Sequence, residues 1–166
     1  VMIVLGIDPG IAITGFGLIS LNAQNEPELI THGVINSTAE GDTSSRLIYL
    51  YRELTELIEQ YQPDYSAVEK LFFQKNQKTA MAVSEARGVI TLCLAQHNLP
   101  MAEYTPNAVK QAVTSYGNAD KKQVQEMVKI TLHLEDIPKP DDAADALAIA
   151  ICHLGYLQMQ RLMEDQ

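Results

Sequence analysis

Four carboxylates stand where chemistry is usually done. Asp8 closes the apolar run that begins at Ile3, and Glu69 closes a second one that begins at Tyr65. Asp142 and Asp145 lie at the head of a long apolar segment, three residues apart. That spacing puts both on one face of a helix. In an open α/β sheet, strand ends and a nearby helix start are where ligands usually sit. Converging carboxylates cannot all stay ionised without counter-charge. Hard divalent cations that prefer oxygen ligands, Mg²⁺ above all, supply it. Two such cations about 4 Å apart suit in-line attack of water on a phosphodiester. Cys93 and Cys152 sit in apolar helical runs and read as reduced core thiols, with no Cys/His metal pattern around them.

Each acid also has a plain structural reading. Asp142 could cap the last helix, with Asp145 as its third helical residue, or Asp141 could cap instead. One acid suffices for a cap, however, and here there are three. Asp145 also lies inside Ala143–Ile151, apolar nearly all round, where an unpaired carboxylate is costly. Asp8 before Pro9-Gly10 could form an Asx turn, and Glu69 could pair with Lys70 or Arg87. The segment Asp8–Gly17, a strand, a tight turn and a second strand rich in small residues, could cradle an ATP phosphate as in actin-like ATPases. Those proteins need a duplicated domain, and 166 residues leave room for one.

A second group of residues points to a polyanion. The polar loop Lys70–Lys78 follows Glu69 directly and holds Phe72 and Phe73, two of only three Phe in the chain. One ring packs under the loop in the plain reading; in the functional one, a ring stacks on a base between the phosphate-binding Lys70, Lys75 and Lys78. Lys110, Lys121 and Lys122 are further phosphate candidates. Lys121 opens a helix, where a cation opposes the dipole. The formal net charge is −9, which argues against a generic nucleic-acid binder. Residues 70–139 are nevertheless net +3, with nine Lys/Arg against six Asp/Glu, and the remainder carries −12.

The elements that must position these residues follow from periodicity. Strands are expected over Ile3–Asp8, Thr14–Asn22, Glu28–Ser37, Tyr65–Glu69 and Pro100–Tyr104. Thr43-Ser44-Ser45 can cap a helix that Gln62-Pro63 stops. Further helices are expected over Thr79–His97, Pro106–Ser115, Asp120–Leu134 and Asp141–Gln160. The class is therefore α/β, a mixed five-stranded sheet of an antiparallel meander plus parallel strands, flanked by helices. The length suits a single domain over 1–166 with its core at about 2–158. The apolar stretch Ala143–Leu157, interrupted by Asp145 and His153, is too short and polar to span a bilayer. The first residues do not read as a signal peptide, and a cytoplasmic protein is expected.

Taken in order, several of these pieces resemble the RuvC family of bacterial Holliday junction resolvases (crossover junction endodeoxyribonucleases). They are Gly6-Ile7-Asp8-Pro9-Gly10 with Thr14-Gly15-Phe16-Gly17, Val68-Glu69 with Phe72, Glu85-Ala86-Arg87-Gly88, Val109-Lys110-Gln111, and Asp142–Ala150. The resemblance implies an RNase H-like fold and a catalytic, metal-binding quartet of Asp8, Glu69, Asp142 and Asp145. It implies Mg²⁺, two per subunit, with Mn²⁺ able to substitute. Lys110 and Lys121 are expected beside the scissile phosphate. The DNA contacts expected are Phe72, Phe73, Lys70, Lys75, Lys78, Arg87, Lys110, Lys121 and Lys122. A homodimer is expected to place paired symmetric nicks in a four-way junction, leaving 5′-phosphate and 3′-hydroxyl ends. A branch-migration helicase complex of the RuvA and RuvB type is the implied partner, and the nucleoid the implied place of work. A catalytically weak junction-binding scaffold and a related RNase H-like nuclease acting on RNA or another junction are the alternatives.

Overall fold

The computed structural model describes residues 1–70 and 77–166. Its strands are β1 (Ile3–Asp8), β2 (Ile13–Leu21), β3 (Pro27–Asn36), β4 (Tyr65–Glu69) and β5 (Met101–Tyr104). Its helices are α1 (Thr43–Tyr61), α2 (Gln77–Gln96), α3 (Pro106–Thr114), α4 (Lys121–Thr131) and α5 (Asp141–Glu164). The sheet order is β3-β2-β1-β4-β5. β1, β2 and β3 form an antiparallel meander, and β4 and β5 join β1 in parallel. This is the mixed architecture expected from the sequence. β1 and β4 have the bounds that their apolar runs marked.

Alternation along the strands splits the core into two. Leu5, Ile7 and Val68 face α1 and α2, where Leu50, Leu54, Ile58 and Ile90 pack on them. Val4 and Ala67 face the other way, against α5 with α3 and α4 beyond it. The same alternation sends Gly6 and Asp8 of β1, and Glu69 of β4, toward α5.

α5 lies unusually close to the sheet, because glycines floor its seat. A Cβ on Gly6 would collide with the backbone of Ala146 and Ala150, and one on Gly15 with the Asp142 carbonyl. At Gly17 it would strike the Leu147 side chain. Gly6 and Gly17 are register partners, and Gly15 pairs with Asp8 itself. The helix meets this floor with small residues of its own, Ala143, Ala146 and Ala150, all buried.

Several helix ends differ from the sequence expectation. The cap of α1 is Asp42, whose carboxylate accepts the Ser45 N–H at 2.8 Å, rather than the Thr43-Ser44-Ser45 cluster. The hydroxyl residues instead fill the first turn. α2 starts two residues earlier than Thr79, and α5 runs on to Glu164 with its last turns outside the core. Asp120 is not the first residue of α4 but its cap, closed reciprocally by Gln123.

Candidate active site

The carboxylates arrive on two kinds of scaffold. Asp8 and Glu69 sit at the carboxyl ends of the neighbouring parallel strands β1 and β4. Asp142 and Asp145 sit in the first turns of α5, which the glycine floor brings down onto β1 and β2. As a result one carboxylate oxygen each from Asp8, Asp142 and Asp145 lies within 4.8 Å of the other two. Glu69 stands outside that tight triplet. It lines an adjoining cavity of about 220 Å³ together with Lys110, Lys121 and Asp145.

The capping readings of the acids do not hold. The N-cap of α5 is Pro140, with no side-chain cap bond, so neither Asp141 nor Asp142 serves that purpose. Among the described residues no hydrogen bond reaches the Asp8 carboxylate, which removes the Asx turn. Glu69 is not paired with Arg87. The Arg87 guanidinium lies 3.0 Å from Glu103 and is mostly buried, tying α2 to β5 on the α1/α2 side of the sheet. That contact fits a structural tie between the two elements.

Electrostatics mark the cluster as incomplete. Burial, followed by the charges of Asp145, Glu69 and Asp142, pushes the Asp8 carboxyl up to about 8. Burial and then Asp145 raise Glu69, with Lys110 opposing. Asp145 is raised by burial as well, against the pull of Lys121. Four acids from distant parts of the chain thus share a site with too little positive charge to ionise them all. The donor atoms are all oxygens, the set that hard divalent cations take. The residues therefore fit a divalent metal centre.

The expected cations divide. Lys121 Nζ lies 3.5 Å from both Asp145 and Asp141, which accounts for a lysine at the start of α4. Lys110 lines the cavity beside Glu69. Lys122 belongs elsewhere, to a separate cleft of about 430 Å³ with Tyr116 and Glu126. Lys70 and Lys78 are exposed on either side of the segment 71–76. Phe72, Phe73 and Lys75 lie outside the described residues.

Sequence reasoning missed three features of this site. Asp141 is the second anchor of Lys121, and Gln125 donates to its other oxygen at 3.3 Å. Gly6, Gly15 and Gly17 were legible as small residues but not as a seat for α5. A pair of the half-buried Tyr104 and the buried His153 joins β5 to α5 at 2.6 Å. The one signal for it was a histidine interrupting an apolar helix.

Comparison with known proteins agrees with the geometry. Residues 4–153 match the family model described as crossover junction endodeoxyribonuclease RuvC. The chain is 55% identical over 165 residues to the protein of that name from Caldicellulosiruptor saccharolyticus, covering 99% of both. It is likewise 55% identical over 163 residues to the one from Alkaliphilus metalliredigens, covering 98% of this chain and 99% of that one. Among solved structures, T. thermophilus RuvC in complex with a Holliday junction substrate superposes with a TM-score of 0.86 at 30% identity. That match covers 95% of this chain and 96% of the other. The fold is therefore RNase H-like, as expected. Carboxylates gathered at one sheet edge and a match along nearly the whole length lead to one conclusion: the chain belongs to the RuvC family of crossover junction endodeoxyribonucleases.

Proposed function

We propose that this protein is a metal-dependent endonuclease that resolves four-way DNA junctions by paired symmetric nicks, leaving 5′-phosphate and 3′-hydroxyl ends. The observation that carries the reading is the convergence of Asp8, Asp142 and Asp145 within 4.8 Å, beside a cavity walled by Glu69, Lys110 and Lys121. Asp8, Glu69, Asp142 and Asp145 hold the cations, Mg²⁺ in the proposal, two per subunit, with Mn²⁺ as a substitute. Cations held there would neutralise the carboxylates, polarise a phosphodiester and lower the pKa of an attacking water.

The protein's own groups do the rest. Lys110 and Lys121 offset phosphate charge in a partly enclosed site, where such pairing is worth more than in water. Lys121 is held between Asp145 and Asp141 and lines the cavity, placed to pair with a phosphate there. Lys70, Lys75, Lys78 and Lys122, with Phe72 or Phe73 as a stacking ring, extend the DNA surface. On a chain of net charge −9, binding then depends steeply on salt.

A two-fold substrate calls for a two-fold enzyme, and α2 offers a face for a homodimer. Met81 and Leu92 are 66% and 54% exposed along one stripe of that helix. Gly88 lies between them, with nothing among the described residues within 4 Å of the place of a Cβ. A mid-helix glycine costs about 1 kcal/mol relative to alanine, and close approach of a second α2 gives it a purpose. The proposal further includes a single domain over 1–166, a branch-migration helicase complex of the RuvA and RuvB type as partner, and work at the nucleoid in the cytoplasm. No helix among the described residues is long and apolar enough to cross a membrane.

The test is cleavage of a synthetic four-way junction against linear duplex of the same sequence, with Mg²⁺ and with EDTA. Symmetric nicks are expected only in the junction and only with Mg²⁺. Asp145→Asn is expected to lose cleavage by at least about 10³-fold while still binding the junction. Full cleavage by that variant defeats the assignment of the metal centre; a wild-type protein that binds without cutting is a scaffold.

A further inference from the structure

Tyr104 and His153 join the two scaffolds that supply the carboxylates. Tyr104 ends β5 and is the register partner of Glu69. The two side chains therefore leave the same face of the sheet from strands about 5 Å apart. The Tyr104 carbonyl accepts the Lys70 N–H at 2.7 Å and so closes the ladder just past Glu69. Its hydroxyl lies 2.6 Å from Nδ1 of His153. His153 is 5% exposed and sits on α5 about two turns beyond Asp145. Burial pushes His153 toward its neutral form and holds the Tyr104 hydroxyl protonated, up to about 12. Both groups are therefore uncharged, and one neutral hydrogen bond joins the hydroxyl to Nδ1. Tyr65 and Tyr156 flank the imidazole, with ring centres 6.0 and 6.2 Å away.

Glu69 is the carboxylate that needs such a tie. Asp8, Asp142 and Asp145 come from β1 and α5, which meet directly over glycine. Glu69 comes from β4, whose outer neighbour is the four-residue edge strand β5. Among the described residues, the Tyr104 bond is the only side-chain hydrogen bond between that edge strand and α5.

We propose that Tyr104 is a positioning residue: through His153 it fixes the Glu69 end of the sheet against α5 and keeps Glu69 within reach of the cations that Asp8, Asp142 and Asp145 gather. The inference rests on reading the carboxylates as a metal centre. It assigns a role to a pair outside the proposed metal ligands and DNA contacts.

Mn²⁺ binding without DNA, followed by the electron paramagnetic resonance signal of the free ion, tests it. The proteins are wild type, Tyr104→Phe, Glu69→Gln and the double variant, with Asp8→Asn as the control for the site. Tyr104→Phe is expected to weaken Mn²⁺ binding about tenfold when Glu69 is present. In the Glu69→Gln background the same change is expected to matter less than about twofold. Equal losses in both backgrounds would mean general loosening and overturn the inference, as would unchanged binding by a folded Tyr104→Phe protein. If Tyr104→Phe does not fold, His153→Phe removes the other partner of the bond and carries the same cycle. Wild-type binding that does not depend on Asp8 defeats the metal-centre reading itself, and this inference with it.

Discussion

On the α1/α2 face the sheet offers Leu5, Ile7, Leu18 and Val68, and the helices answer with Leu50, Leu54, Ile58 and Ile90. On the α5 face the same strands offer Gly6, Gly15 and Gly17, and the helix answers with alanines. The first face is an ordinary hydrophobic core, closed by the Arg87–Glu103 pair at its rim. The second gives up side-chain volume so that a helix backbone can lie almost on the strands. Only that closeness brings acids at a strand end and acids on a helix within 4.8 Å of one another. Stability can be spread over many residues of a core, whereas a multi-carboxylate site depends on a few tenths of an ångström at particular positions.

Breaking the floor of the α5 face is expected to have the largest effect. Gly6→Val places carbon atoms where Ala146 and Ala150 have backbone, so α5 must lift. A loss of about 3 kcal/mol or more is expected from overpacking, with at least a ~100-fold loss of junction cleavage in the protein that still folds. Leu54→Ala on the other face is the counterpart. Leu54 is fully buried, and its truncation costs about 2–5 kcal/mol. The folded fraction should cut at close to the wild-type rate. Urea titration and single-turnover cleavage measure the two quantities separately. Equal catalytic losses from both variants would erase the distinction between the faces.

A smaller effect comes from acidity. Without metal, Asp8 keeps its proton up to about pH 8 in the folded chain, while an unfolded Asp loses it near ~4. The folded state holds the extra proton between those values. Its stabilising contribution is full below the unfolded pKa and is lost as pH rises through the folded one. Melting in EDTA is therefore expected to drop by roughly 5–10 °C between pH 5 and pH 8. Asp8→Asn should flatten the profile and melt higher than wild type at pH 8. A melting temperature that climbs across this interval in EDTA would contradict the crowded-carboxylate account. Among the described residues, the α1/α2 face carries no such cluster of carboxylates.

The smallest effect is expected at Arg87. Its partner Glu103 is partly exposed, so Arg87→Gln should cost about 1 kcal/mol. Junction affinity and its salt slope should stay within error of wild type. A reduced salt slope would return Arg87 to the DNA surface.

Much of this was legible in the chain itself. The ends of β1 and β4 follow from short apolar runs that stop at an acid, and α5 from an apolar segment of helical length. The acids at those ends were visible as candidates because a carboxylate in apolar surroundings demands a partner. Helix caps were less legible. Asp42, Thr43, Ser44 and Ser45 are all good caps in isolation, and which of them acts depends on where the chain enters the turn. The same holds at α5, where Pro140 takes the cap and frees the acids that follow.

What the sequence by itself determined is therefore local: which segments are strands or helices, which residue types stand at their ends, and that several acids needed counter-charge. Patterns of period two and about 3.6 are short-ranged, and they record the face a residue occupies but not what lies opposite. Tertiary structure alone decided that Asp142 and Asp145 meet Asp8, that Lys121 lies between Asp145 and Asp141, and that Arg87 belongs to Glu103. It also made Tyr104 and His153 a pair. These are contacts between residues of different elements, not neighbours in the chain. Those on the site side exist because α5 docks on a glycine floor formed by two different strands, a distance that only the packed fold can set.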